Sequence, residues 1–176
     1  MERGEKMKRK LVCVSSLAVL LFALLVMASF AKACTVVPAT NQGSLTLIYY
    51  DPGTSVAAPS GIVHTYGIVA IFTNYVTIGN AQYTSYAVNH CNSVYYPKTE
   101  LNEIHMIAVW YFGTGTGVSS NGFVGTIDYK YTGLNIMTGS NYEIRAVLQG
   151  FGSFAGQILI FDTDNPALWS GYCIIH

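Results

Sequence analysis

The sequence predicts a single all-β domain: an antiparallel sandwich or jelly roll of about seven to nine strands, placed behind an N-terminal hydrophobic helix. Three observations carry this. Turn signals recur roughly every ten residues from Asp51 onward, and the runs between them are rich in Val, Ile, Thr and aromatics. No segment after residue 34 has the length and period of a helix able to connect parallel strands. A closed eight-stranded β-barrel is the alternative, because short strands with glycine-rich turns build either architecture.

The first 33 residues differ in kind from the rest. Arg3, Lys6, Lys8, Arg9 and Lys10 precede the uncharged run Leu11–Met27, and Ala31-Lys32-Ala33 then sets small residues at −3 and −1 of a signal-peptidase site. Residues 1–33 therefore read as a signal peptide. If uncleaved they read as an N-terminal membrane anchor spanning with residues 11–30, since the run approaches the ~17–25 residues of a spanning helix. The basic flank stays inside in both cases. Residues 34–176 are thus expected to form an extracytoplasmic β domain, extracellular or on the cell surface. Cys34 follows the cleavage site directly, but Lys32 does not suit a lipoprotein signal.

Charge narrows the partners. Of nine basic and nine acidic residues, six basic (Arg3, Lys6, Lys8, Arg9, Lys10, Lys32) and two acidic (Glu2, Glu5) precede Cys34. Three cations, Lys98, Lys130 and Arg145, and seven acids remain, a net charge of −4. Three cations neutralise few phosphates, so nucleic-acid binding is not expected, nor is electrostatic attachment to anionic lipid. All thirteen tyrosines lie in this part, which suits half-buried strands and not a disordered chain.

The elements follow in order. Ser44–Tyr50 is a strand stopped by the turn Asp51-Pro52-Gly53. Thr54–Gly61 reads as a loop. Ile62–Tyr75 is a long β-branched run with a bulge expected at Gly67, and Gly79-Asn80 breaks it. Gln82–Cys91 alternates, with Tyr83, Ser85, Ala87, Asn89 and Cys91 on one face. Residues 92–104 read as a connector with a helical turn after Pro97. His105–Phe112 is apolar throughout and reads as a central strand covered on both faces. Beyond the loop Gly113–Gly117 and the hairpin signal Asn121-Gly122, strands are expected over Phe123–Leu134, Tyr142–Gln149, Gly156–Phe161 and Trp169–Ile175.

Gly150-Phe151-Gly152-Ser153-Phe154 resembles the Gly-x-Gly-x-Phe run of allene-oxide-cyclase-like and dirigent barrels. Over five residues the resemblance bears on the barrel alternative and implies no activity.

Few residues point to chemistry. In an oxidising compartment Cys91 and Cys173 are the first choice for a disulfide, closing a loop of roughly 80 residues worth about 4–5 kcal/mol, with Cys34 as the spare thiol. Pairing with Cys34, or three reduced thiols, are the other readings. Asp162, Asp164 and Asn165 offer oxygen ligands for calcium, although the same residues before Pro166 are ordinary turn formers. No other cofactor is expected. His64, His90 and His105 lack metal-site spacing, Glu100 and Glu103 share one connector, and no nucleophile motif is present, so catalysis is not expected. Tyr49, Tyr50, Tyr95 and Tyr96 alternate along their segments and offer exposed rings for a protein or a carbohydrate. The reading that follows is a non-catalytic surface domain making protein contacts, self-association included. A carbohydrate-binding module comes second and a secreted hydrolase without a visible motif third.

Overall fold

The computed structural model describes residues 34–176 except 114, 115, 135 and 137, and of residues 43–45 the backbone only. The signal or anchor expected over residues 1–33 lies outside the described residues. Nine antiparallel strands form one sheet: β1 (Thr35–Asp51), β2 (Thr54–Ala57), β3 (Val63–Ile78), β4 (Ala81–Tyr96), β5 (Leu101–Gly113), β6 (Gly122–Thr132), β7 (Ser140–Phe151), β8 (Ile158–Thr163) and β9 (Leu168–Ile175). Strands β3 to β9 pair in chain order, as short hairpin connections dictate.

β1 closes the sheet. Its first half pairs with β9, from Thr35↔Ile175 to Gln42↔Leu168, while Ala39–Asp51 pairs with β3, from Ala39↔Ile78 to Asp51↔Val69. Eight strands thus form a continuous ring, with β2 extending it on β3 beyond Asp51. The antiparallel all-β expectation is met. All nine strands lie in one sheet.

Alternation sets the inside. Asn74, Val76 and Ile78 of β3, Ser85, Ala87, Asn89 and Cys91 of β4, and Met106, Ala108, Trp110 and Phe112 of β5 are buried on one face. Phe123, Ile127, Tyr129 and Tyr131 of β6, Ile144, Ala146 and Leu148 of β7, Leu159 and Phe161 of β8, and Cys173 of β9 complete it. Trp110, Phe161 and Trp169 meet across the middle, with ring centroids 5.9–6.2 Å apart. At one end Tyr83, Phe112 and Phe123 surround Phe154, whose centroid lies 5.1–5.3 Å from each. A 3₁₀ turn over Gly152–Phe154 folds Phe154 back into that end. Gly150 permits the close approach, because a Cβ there would run into the Phe154 carbonyl. The Gly150–Phe154 run therefore plugs the ring.

Three local expectations change. Residues 92–104 are not a helical connector: β4 and β5 run to Tyr96↔Leu101, and only Pro97–Glu100 turn. Pro97 ends the ladder by lacking a donor, and Glu100 takes φ +53. Thr54–Ala57 is a strand because β3 continues past its bulge at Gly67 (φ +70) and offers a partner. β5 is covered on one face only: His105 and Ile107 are exposed, and Val109 and Tyr111 partly so.

Candidate functional site

The ring is complete along only half of β1. Past Gln42 the pairing with β9 ends, so among the described residues Thr46–Asp51 pairs with β3 on one side and has no strand on the other. β2 continues that side, paired among the described residues with β3 alone. Leu47, Ile48, Tyr49, Tyr50 and Val56 are 49–58% exposed along it. Such an edge presents unpaired N–H and C=O groups to any extended segment, and proteins normally blunt it with charge, proline or a covering element. Here Asp51, whose carboxylate accepts a 2.9 Å bond from the Gly53 amide, and Pro52 lie at its bend.

The outer wall on β5–β9 is layered. Ile107, Thr126, Val147, Ile160 and Tyr172 stand side by side in register, with Val109 and Val124 beside them. Ile107, Val124, Val147 and Tyr172 are exposed. This apolar row is what the sequence reading of β5 missed, since a hydrophobic run read as doubly covered has one face in solvent.

Nearer the Tyr96–Leu101 turn the rows become charged. Glu103, Lys130 and Glu143 form one, and His105, Asp128, Arg145 and Asp162 the next. Neighbours alternate in sign: His105 Nδ1 lies 2.7 Å from Asp128, Lys130 3.1 Å from Glu103, and Arg145 3.2 Å from Glu143 and 3.7 Å from Asp162. The Glu103 carboxylate raises the Lys130 ammonium above its ordinary range, mainly through their hydrogen bond. An open depression of about 500 Å³ lies here, lined by Tyr66, Asn92, Glu103, His105, Lys130 and Glu143 among others. Its carboxylates are tied to cations on an open surface, and among the described residues no hydroxyl or thiol hydrogen-bonds the second ring nitrogen of His105.

The residues singled out from sequence do not converge. Asp162 reaches toward Arg145, while the Asn165 side-chain oxygen accepts from the amides of Ala167 and Leu168 at 3.0 and 3.3 Å, which makes it a turn former. Asp164 is exposed beside it, and among the described residues no group of three His, Cys, Asp or Glu gathers to hold a metal. Tyr49 and Tyr50 are exposed, whereas Tyr95 and Tyr96 are half-buried. Tyr50 stands opposite Ala70 at an inward position and Tyr49 opposite Ile71 at an outward one, so their rings share no face.

The expected Cys91–Cys173 bridge is not formed, and both thiols are free and buried. They sit on β4 and β9, which the ring separates by β3 and β1 on one side and β5–β8 on the other. Burial pushes the Cys91 thiol up to about 11 and raises Cys173 as well. Cys34 is exposed.

The interior also carries polar groups. Asn74 donates a 2.8 Å bond to Asn41 across β1 and β3. Asn74 Oδ1, Ser85 Oγ, Asn89 Oδ1 and Trp110 Nε1 are buried and have no hydrogen-bond partner among the described residues. Asn74 faces Ser85, and Ala87, between Ser85 and Asn89 on that face, stands opposite Trp110, so the four mark one wall.

Comparison with models of known protein families, with curated proteins and with solved structures finds no match.

Proposed function

We propose that this is a non-catalytic secreted or cell-surface domain that works by protein contact, first with copies of itself, through strand addition at the free edge of β1 and β2. The observation that carries the reading is that edge: ten strand residues, uncharged apart from Asp51, with four large apolar side chains in succession from Leu47 to Tyr50. Main-chain hydrogen bonds supply affinity in strand addition, and alternate side chains supply selectivity. The apolar row on the outer wall supports the same reading, because it sets exposed Ile107, Val147 and Tyr172 in one line across the strands. Carbohydrate stacking has less support, since Tyr49 and Tyr50 stand on opposite faces and Tyr95 and Tyr96 are half-buried.

The test is association of protein expressed from the full sequence, followed by sedimentation velocity over a concentration series, with Ile48→Lys and Val56→Lys as edge variants. Oligomers in the wild type that both variants reduce to monomer are expected. A wild type that stays monomeric at all concentrations refutes the reading. Intact mass on the same sample tests export: a chain beginning at Cys34 is expected, and retention of residues 1–33 makes this a tethered domain.

A further inference from the structure

We infer that the charged rows on the outer wall of β5–β8 are a self-complementary contact for a second copy of this chain, docked about a two-fold axis that runs across the strands between the two rows. The inference rests on the self-association reading but uses a different surface from the free edge.

The pattern is a checkerboard. Along β5, β6 and β7 the first row reads Glu103, Lys130, Glu143 and the second His105, Asp128, Arg145, with Asp162 beyond on β8. Every neighbour across a strand pair or along a strand carries the other sign once His105 is protonated. A two-fold axis between the rows lays each residue of one row on its strand neighbour in the other. Glu103 then meets His105 of the second copy, Lys130 meets Asp128, and Glu143 meets Arg145. Each pair occurs twice, as an isologous interface requires. An axis running along either row would instead set like on like.

Stability within one chain does not account for the pattern. The side chains are 36–70% exposed, and exposed ion pairs contribute about 0–1 kcal/mol each. Yet two of the three cations and four of the seven acids of residues 34–176 stand in these two rows. Charge arrangement fixes register and rejects wrong partners more than it adds affinity. A surface with so few charges gains most from placing them where register is read.

The experiment is sedimentation velocity of protein from the full sequence at about 0.05 M and 0.5 M salt, because screening shortens the reach of exposed charges several-fold over that range. Four variants accompany it: K130E, D128K, K98E and I48K. Wild type is expected to show a salt-sensitive dimer, its Kd rising at least tenfold at high salt. K130E and D128K alone should each lose that dimer. An equimolar mixture of the two should restore it, because position 130 of one copy then meets position 128 of the other with opposite signs in both halves. K98E alters a cation outside the rows and should leave Kd within about twofold, as separate sites act independently. Circular dichroism melts confirm that each variant is folded. A mixture that fails to dimerise while the wild type does overturns the inference, as does a dimer insensitive to both salt and K130E. If I48K abolishes all association and K130E none, the edge reading stands and the charged contact falls. If I48K spares the salt-sensitive dimer, the charged contact stands without the edge.

Discussion

Removing the Phe154 ring tests how the ring of strands is closed at the end opposite the free edge. Phe154 is 8% exposed and touches Tyr83, Phe112 and Phe123 at centroid distances of 5.2, 5.1 and 5.3 Å. Burying such a ring is worth about 1.5–3 kcal/mol in transfer alone, and the cavity left by truncation brings Phe→Ala to about 3–5 kcal/mol. Three aromatic partners place Phe154→Ala toward the upper half of that range, about 4 kcal/mol. That is a large share of the ~5–15 kcal/mol that holds a domain together. Phe151, three residues earlier, is half-buried and among the described aromatics meets only Tyr111, at 6.0 Å. Phe151→Ala should cost about 1 kcal/mol. Urea melts followed by tryptophan fluorescence read the difference, and thermal melts should show Phe154→Ala lowered by roughly 8–16 °C. Gly150→Ala should undo the same plug, because its Cβ would stand 2.8 Å from the Phe154 carbonyl carbon and 2.9 Å from the Phe154 Cβ. The double variant should then cost little more than the worse single one. Equal losses for Phe154→Ala and Phe151→Ala, or a loss below about 1 kcal/mol for the former, would refute the packed plug.

Three further outcomes follow from the interior. Asn41→Ala and Asn74→Ala should each destabilise by about 1–3 kcal/mol by orphaning the partner amide, with a coupling near 1 kcal/mol in the double-mutant cycle; strict additivity would show that the 2.8 Å bond contributes nothing. Native alkylation at about pH 8 should modify Cys34 and spare Cys91 and Cys173 until the chain unfolds, as intact mass will show; rapid labelling of all three, or a bridge between the buried two, contradicts their placement. Stability should fall as pH rises above about 9, because burial raises Cys91 to about 11 from an ordinary 9.0 and raises Cys173, Tyr129 and Tyr131 as well. The unfolded chain releases those protons first, so the folded state binds more of them and loses ground until its own groups titrate; a urea midpoint unchanged between pH 8 and about 10.5 rules this out.

Alternation and punctuation made most of the fold legible. That Tyr83, Ser85, Ala87, Asn89 and Cys91 share a face can be read directly from the sequence, and so can the turns at Gly79-Asn80 and the bulge at Gly67; which face turns inward cannot. What failed did so where pairing outranks local signal. Thr54–Ala57 carries loop composition but meets the extended start of β3, and residues 92–96 lie on β5 although they sit beside a proline. The His105–Phe112 run misled in another way. Continuous hydrophobicity marks burial on both faces only where both faces have cover, and Ile107 has none. The charged rows were invisible for a plainer reason. Glu103, Asp128 and Arg145 are far apart in the chain, and only the register between β5, β6 and β7 brings them side by side.

The two proposed contacts differ in what they can build. A two-fold contact on the charged rows is closed: once two copies meet, that surface is used up, and the product is a dimer. Strand addition at the β1–β2 edge uses one side of an extended segment. It stays open unless the donor segment is that same edge of the partner. The edge lies on β1 and β2 and the paired charges on β5, β6 and β7, so the two contacts draw on different strands. Where one chain engages both, the assembly can grow. If edge meets edge about its own two-fold, each copy carries two closed contacts facing different ways, and alternating them generates a chain of copies without end. If the edge takes a segment from elsewhere, such as residues near the N-terminus of a neighbour, the charged dimer is a building block and the edge sets polarity. Salt then becomes the diagnostic variable, since high salt should cut a filament of the first kind into edge-linked dimers while leaving main-chain hydrogen bonds in place.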